Sequence, residues 1–255
     1  MNNTTIKTPR AAFGKLLLYE SQLAWRTPTG LAAGLGIPLL LLVVFGSIPV
    51  LRQPSSDLGG FSYFALSFPI LITVTVLTLS TSILPRSLIA YRETGILRRL
   101  SVTPVPPSWL LAAQIVINLA IAVAGFFILT VAGVLAFGLG LPQNFLGFLL
   151  AILLTTTSLF AVGLCIAAFV RSYAVAQLIG GVLFFALMFF GGIWLPRPIM
   201  PAVLLNISNW MPLGASVDAI QRSMLGVFPS LQSLFVLAAY TAVFGYLAVR
   251  YFKWE

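Results

Sequence analysis

Charged residues are scarce in this sequence, and histidine is absent. Asp, Glu, Lys and Arg make up 7% of the 255 residues, whereas 60% are hydrophobic. A soluble domain carries about 25% charged residues, so this chain has more apolar side chains than one soluble core can bury. The lack of histidine removes the commonest metal ligand and general base, and the single cysteine, Cys165, excludes an intrachain disulfide. The scarcity of charge therefore predicts a protein whose solvent is lipid.

The apolar runs are long and continuous. They indicate spanning helices, because the strands of an outer-membrane barrel alternate apolar and polar residues over about ten positions. Glycine, proline and asparagine at 138–144 predict a turn that divides the uncharged stretch 100–170 into two spans. We predict an all-α membrane protein with a single domain over 1–255, comprising an N-terminal segment at 1–28 and a six-span bundle at 29–255. The predicted spans are 31–50, 61–84, 108–137, 145–170, 173–194 and 231–249.

The segment 195–229 differs from the spans because prolines and polar residues interrupt its apolar residues. A lipid-exposed helix with this composition would leave backbone groups without hydrogen-bond partners. We therefore predict a re-entrant segment on the external side, formed by short helices that pack on protein.

Lysine and arginine are distributed unevenly among the connections. If the N-terminus is inside, eleven of the 14 fall in cytoplasmic segments and three, Arg52, Arg197 and Arg222, fall outside. The bias predicts a multi-pass protein of the inner or plasma membrane with both termini in the cytoplasm. It also accounts for the net charge of +9. No nucleic-acid-binding motif accompanies that charge, so we expect membrane lipids and no nucleic acid as partners.

Residues 11–26 form an amphipathic pattern typical of a helix that lies in the membrane interface. Glu20 falls in the middle of the apolar face, which is unfavourable for a carboxylate unless a partner covers it. Two interpretations are open. Glu20 reaches from an interfacial anchor to water, or the helix contacts a cytoplasmic subunit through Glu20 and Arg26.

The connection between spans two and three contains a basic amphipathic pattern, which predicts a short cytoplasmic helix over 92–100. A loop that only fixes topology is the alternative, but topology requires only charge and does not explain the Glu-x-Gly element. The candidate contact residues in this helix are Arg92, Glu93, Gly95, Ile96, Arg98, Arg99 and Leu100.

The same connection resembles the cytoplasmic signature of type-2 ABC exporter permeases, a group that includes daunorubicin-resistance permeases and polysaccharide exporters. The matching run is Arg92-Glu93-x-Gly95-x-Leu97-x-Arg99-Leu100-x-x-Thr103-Pro104. The run Trp25-Arg26-Thr27-Pro28 is similar to another family element, with Thr27 in place of the usual acidic residue. The resemblance implies two permease copies, as a homodimer or heterodimer, on two copies of a separate ABC ATPase. It also implies that 92–100 is the coupling helix.

The energy source is expected to lie outside this chain. The sequence has no G-x-x-x-x-G-K-[ST] motif, so it lacks the loop that cradles ATP phosphates. We expect no catalytic residue, no metal site and no cofactor on this chain, with ATP and magnesium bound by the partner ATPase. No predicted span has a charge at its centre, which argues against a proton-coupled antiporter.

A few polar residues within the spans are candidates for a substrate path: Thr75 and Thr78 in span two, and Gln114 and Asn118 in span three. Hydroxyls in such helices more often bond to their own helix's carbonyls. The aromatic-rich, uncharged spans favour export of a hydrophobic or amphipathic molecule, such as a drug, a lipid or a lipid-linked compound. The alternatives are a polysaccharide-exporting permease of the same fold and a membrane assembly factor that transports nothing.

Overall fold

The computed structural model describes residues 9–26, 32–95 and 107–252. Within these ranges the fold is helical and contains no β-strand beyond one isolated bridge between Pro54 and Ser62. The α-helices of nine or more residues are α1 (Pro9–Arg26), α2 (Ile37–Ser47), α3 (Tyr63–Thr78), α4 (Leu84–Glu93), α5 (Pro107–Phe137), α6 (Phe145–Phe169), α7 (Tyr173–Gly191), α8 (Ala202–Trp210), α9 (Pro212–Met224) and α10 (Leu231–Tyr251).

Five helices in the described ranges are long and apolar enough to cross a membrane, as expected of a multi-pass membrane protein. They are Tyr63–Glu93, Trp109–Phe137, Phe145–Phe169, Tyr173–Gly191 and Leu231–Tyr251. The predicted turn at 138–144 is confirmed, because it separates α5 from α6. Asn144 begins α6 by accepting a hydrogen bond from the Gly147 N–H at 2.9 Å.

The first predicted span, 31–50, is only partly represented. The structure has a shorter apolar helix, Gly34–Ser47, which ends at the extended residue Ile48 before Pro49. A proline disfavours the helical conformation in the residue before it, which explains the stop. The count of six spans therefore remains a prediction.

The second span is longer than predicted and forms the centre of the bundle. The prediction ended this span at residue 84, but the helix continues past Pro85 to Glu93. The continuation passes through a wide π-helical turn, Leu79–Ile83, placed between α3 and α4. Pro85 has no N–H to donate to the carbonyl four residues earlier, so a local change of helix type accommodates it without ending the helix. In the most apolar stretch of this long helix, 94% of the residues are buried.

Two glycines of neighbouring spans lie directly against the wide turn. A Cβ added at Gly163 of α6 would collide with the Ser80 carbonyl oxygen, and one added at Gly180 of α7 would collide with the Thr81 carbonyl oxygen. Only glycine leaves room for the carbonyls of the π-helical turn at these two positions.

The segment 195–229 contains two short helices, α8 and α9, as the prediction of short packed helices requires. Helix α9 packs against α6 and α10, and many of its residues are buried. The re-entrant depth of this pair and its placement on the external side remain predictions. Its polar residues converge on Arg197, whose contacts are compared with those of Arg92 below.

Candidate functional site

The predicted coupling residues divide into two groups. Arg92, Glu93 and Gly95 are described, whereas Ile96, Arg98, Arg99 and Leu100 lie outside the described residues. Helix α4 ends at Glu93, and Gly95 follows in the left-handed conformation with φ +69°. That conformation interrupts a helix and favours glycine. The prediction of one helix over 92–100 is therefore wrong at its start, since Arg92 and Glu93 form the last turn of α4.

Arg92 contacts the end of another span. Its Nη1 atom donates hydrogen bonds to the carbonyl oxygens of Ala167 and Val170, each at 3.2 Å. These carbonyls belong to the last turn and the C-cap of α6, where the helix itself supplies no partners. The guanidinium group also lies 5.0 Å from the centre of the Phe252 ring, just after α10. A cation at a helix C-terminus is favourable because the exposed carbonyls carry partial negative charge.

Glu93 contacts the beginning of the next span. Its Oε1 atom accepts a hydrogen bond of 3.0 Å from the backbone N–H of Tyr173, the first residue of α7. Ser172, at the N-cap position, makes no side-chain capping bond, so Glu93 takes over that function from a distant part of the chain. Arg86 lies 5.5 Å from the centre of the Tyr173 ring. We name the pair Arg92 and Glu93 the junction clamp, because it binds both sides of the α6–α7 connection.

Glu20 lies inside the protein, in a cluster built by three helices. Only 5% of its surface is exposed. Its Oε2 atom accepts hydrogen bonds from the Tyr91 hydroxyl of α4 at 2.6 Å and from Gln114 Nε2 of α5 at 2.7 Å. The Ser87 hydroxyl donates to Gln114 Oε1 at 3.3 Å. We name Glu20, Tyr91 and Gln114 the Glu20 cluster.

The Glu20 cluster corrects one of the two interpretations of this carboxylate. Glu20 does not reach water, because α4 and α5 cover it and satisfy its hydrogen bonds. A contact between α1 and a cytoplasmic subunit remains a prediction. Burial raises the pKa of Glu20, and the hydrogen bonds from Tyr91 and Gln114 partly oppose that rise. Arg26 lies exposed in the last turn of α1, and its contact role remains a prediction.

The four predicted path residues make hydrogen bonds within the protein, and their role in a substrate path remains a prediction. The Thr75 and Thr78 hydroxyls donate to carbonyls of their own helix, Leu71 at 3.3 Å and Val74 at 2.9 Å. This agrees with the plainer interpretation of these hydroxyls. Gln114 belongs to the Glu20 cluster, and Asn118 Nδ2 donates to the Gln114 carbonyl at 2.8 Å.

The residues that complete the site carry little signal in the sequence. Ala167, Val170 and Tyr173 take part through backbone atoms, which any residue type carries, so no side-chain pattern marks them. Tyr91 immediately precedes the matching run, and its hydrogen bond to Glu20 depends on the tertiary approach of α1 to α4.

Two apolar grooves lie on the outside of α5. One, of about 360 Å³, separates α5 from α1 and α2, and its walls include Leu17, Ala24, Leu35, Val116, Ile121 and Ile128. The other, of about 450 Å³, lies between α5 and the start of α6, and its walls include Phe126, Phe127, Val131, Leu135, Phe145 and Phe148. Both are suited to alkyl or aromatic groups and offer few polar partners.

The chemistry of these sites is that of contact and packing. Among residues 9–26, 32–95 and 107–252, no group of three or more His, Cys, Asp or Glu side chains could hold a metal ion.

No curated protein sequence matches the chain. The family model for the ABC-2 type transporter matches residues 11–225, which include α1, the junction clamp and both short helices. The chain therefore belongs to the ABC-2 type transporter family, as the permease subunit of an ABC transporter, and this family implies association with an ABC ATPase.

Proposed function

We propose that this permease exports a hydrophobic or amphipathic molecule from the cytoplasm or the inner leaflet, driven by a separate ATPase. The observation that carries the proposal is the position of the junction clamp. The ends of α4, α6 and α7 meet there, and Phe252 of the α10 end packs on Arg92. The predicted ATPase-contact segment follows Gly95 in the sequence, so a contact with the ATPase there would act close to several spans.

The proposed arrangement has six spans, with α2 belonging to the first and both termini in the cytoplasm. The charge count supports this orientation, because eleven of the 14 lysines and arginines then face the cytoplasm. The site of ATPase contact is the segment around Ile96, Arg98, Arg99 and Leu100. ATP and magnesium bind two ATPase subunits, and a second permease copy, identical or different, completes the pathway.

The two apolar grooves support an apolar substrate class. Their walls are almost entirely aliphatic or aromatic, so a drug-like compound, a lipid or a lipid-linked molecule fits their chemistry better than a free sugar chain. The acyl chains of the surrounding membrane lipids fit the same walls. The experiment therefore compares candidate substrates directly.

The test is coexpression with an ABC ATPase from the same genome, sought first among the neighbouring genes, followed by purification of the complex and reconstitution into lipid vesicles. We expect copurification, and ATP hydrolysis that rises with apolar compounds. The matched control is an ATPase whose phosphate-loop lysine is replaced, which should assemble but not turn over.

Three outcomes would contradict the proposal. ATP hydrolysis by the purified permease alone would refute the separate energy source. Stimulation only by a free polysaccharide would favour the polysaccharide exporter. Failure to bind any ABC ATPase would favour an assembly factor.

A further inference from the structure

The junction clamp uses the signature residues Arg92 and Glu93 for contacts within the chain. Arg92 binds the last carbonyls of α6, and Glu93 binds the first N–H of α7. The family resemblance alone would assign both residues to the ATPase contact. We propose instead that they are positioning residues, which transmit movement of the ATPase-contact segment to α6 and α7 without touching the ATPase. This inference rests on the proposed function.

The two charges match the two helix ends that they bind. The C-terminus of α6 exposes carbonyl groups and carries partial negative charge, which suits Arg92. The N-terminus of α7 exposes N–H groups and carries partial positive charge, which suits Glu93. Exchanging the two residues would place a negative charge at the partially negative end of α6 and a positive charge at the partially positive end of α7. The clamp is therefore specific to this pair of helix ends and is more than a general basic patch.

The clamp is also tightly linked to the segment that follows it. Glu93 ends α4, and Gly95 redirects the chain two residues later. A displacement of the segment after Gly95 therefore acts first on the last turn of α4. That turn is hydrogen-bonded to α6 and α7 through the clamp and to α1 through Tyr91 and Glu20.

The Tyr173 amide offers a direct measure of the clamp. As the first residue of α7, Tyr173 has no acceptor for its N–H within its own helix. Glu93 is the acceptor that the structure places against it. Hydrogen–deuterium exchange at this amide therefore reports whether Glu93 holds it.

The experiment measures exchange over 171–175 in four proteins: wild type, Glu93→Ala, Glu93→Gln and Arg171→Gln. Each is measured as permease alone, as the ATPase complex, and as the complex trapped with ATP and vanadate. Glu93→Gln retains an acceptor oxygen. Arg171→Gln removes an exposed charge from the same connection and serves as the matched control.

We expect Glu93→Ala to raise exchange at the Tyr173 amide about tenfold or more, as the loss of a hydrogen bond to a charged group would. The variant should still copurify with the ATPase and hydrolyse ATP. It should lose the difference in exchange that we expect wild type to show between the ATP-trapped and nucleotide-free states. Glu93→Gln should retain most of that difference, and Arg171→Gln all of it.

Two results would overturn the inference. If Glu93→Ala loses copurification with the ATPase, Glu93 makes a direct contact. If it keeps the full nucleotide-dependent difference, the clamp transmits nothing. Failure of wild type to bind an ATPase would instead refute the proposed function. The permease-alone measurement separates these cases, because it tests whether Glu93 holds the Tyr173 amide without any ATPase.

Discussion

Two arginines organise opposite parts of this permease, and they do so in different ways. Arg197 lies in the segment before α8 and donates to Ser208 Oγ at 2.8 Å, Asn209 Oδ1 at 2.6 Å and the Gly214 carbonyl at 3.2 Å. It also lies 3.8 Å from the Asp218 carboxylate. All four partners fall within a short stretch of sequence. Arg92, in contrast, binds carbonyls that lie 75 and 78 residues away in the chain.

Arg197 is a local staple, by which we mean that it holds together residues close to it in the sequence. Arg92 instead connects parts of the chain that are far apart. Burial lowers the pKa of Arg197, and the nearby Asp218 opposes that change. Asp218 in turn accepts hydrogen bonds from Arg222, Ser230 and Ser233, so the charges around α8 and α9 are compensated within this region. The Arg197 centre therefore stabilises one pair of helices. The junction clamp fixes the relative positions of three distant helix ends.

The largest expected effect is the loss of the staple. Arg197→Ala leaves Ser208 Oγ, Asn209 Oδ1 and the Gly214 carbonyl without this donor and breaks the partly buried pair with Asp218, so the free energy of unfolding should fall by about 3–5 kcal/mol. We expect little folded protein in the membrane, measured by detergent-extracted yield and thermal unfolding. Arg222→Gln is the matched control, because its half-exposed pair with Asp218 should contribute at most about 1 kcal/mol. Equal losses in both variants would contradict the local-staple description.

Removal of the clamp arginine should cost less stability but affect more of the function. Arg92→Ala leaves the Ala167 and Val170 carbonyls without this donor, at a cost of about 1–3 kcal/mol. We expect normal membrane levels, a modest fall in the unfolding temperature, and loss of substrate-stimulated ATP hydrolysis in the complex. Full substrate stimulation of ATP hydrolysis in Arg92→Ala would show that the junction clamp is not needed for coupling.

The Glu20 cluster adds a smaller, pH-dependent effect. Because burial raises the folded-state pKa of Glu20, the protonated form is favoured in the fold. Stability linked to this group is therefore present below the ordinary glutamate pKa of about 4.3 and decreases as pH rises through the raised folded-state value. Glu20→Gln should flatten the dependence of the unfolding temperature on pH between about 4.3 and the raised folded-state pKa. An unchanged pH profile would show that another group titrates.

The smallest effect is expected inside the long central helix. The Thr78 hydroxyl donates to the Val74 carbonyl of its own helix, which already has a helical partner. Thr78→Val should therefore change the unfolding free energy by less than about 1 kcal/mol and leave export intact. Thermal unfolding and transport of Thr78→Val are measured together with those of Arg92→Ala and of wild type. A loss as large as that of Arg92→Ala would indicate a substrate contact.

Much of the helical layout could be predicted from the sequence, since scarce charges and turn-forming residues delimit the spans. The ends of α5, α6 and α10 fall within a few residues of the predictions for this reason. The continuation of α3 through Pro85 could not be predicted, because proline usually ends a helix and the glycines that accept the wide turn are distant in sequence.

The contacts of the candidate site were less predictable than the helices. The importance of Arg92 and Glu93 was visible from their spacing, but their partners are backbone atoms of α6 and α7. Glu20 stood out as a carboxylate on an apolar face, which correctly indicated that something must cover it. The identity of the cover depended on the approach of α1 to α4 and α5, a tertiary arrangement that local patterns do not encode.

The wide turn at Leu79–Ile83 determines the direction in which the side chains of α4 point. Each residue advances an α-helix by about 100°, and the π-helical turn holds about one residue more than an α-helical turn, so replacing it with regular α-helix would rotate α4 by about that angle relative to α3. Tyr91 would then turn away from Glu20, and Arg92 from the end of α6. Gly163 and Gly180, whose close approach accommodates the turn, thereby help to determine where the clamp points, although both lie outside the site itself.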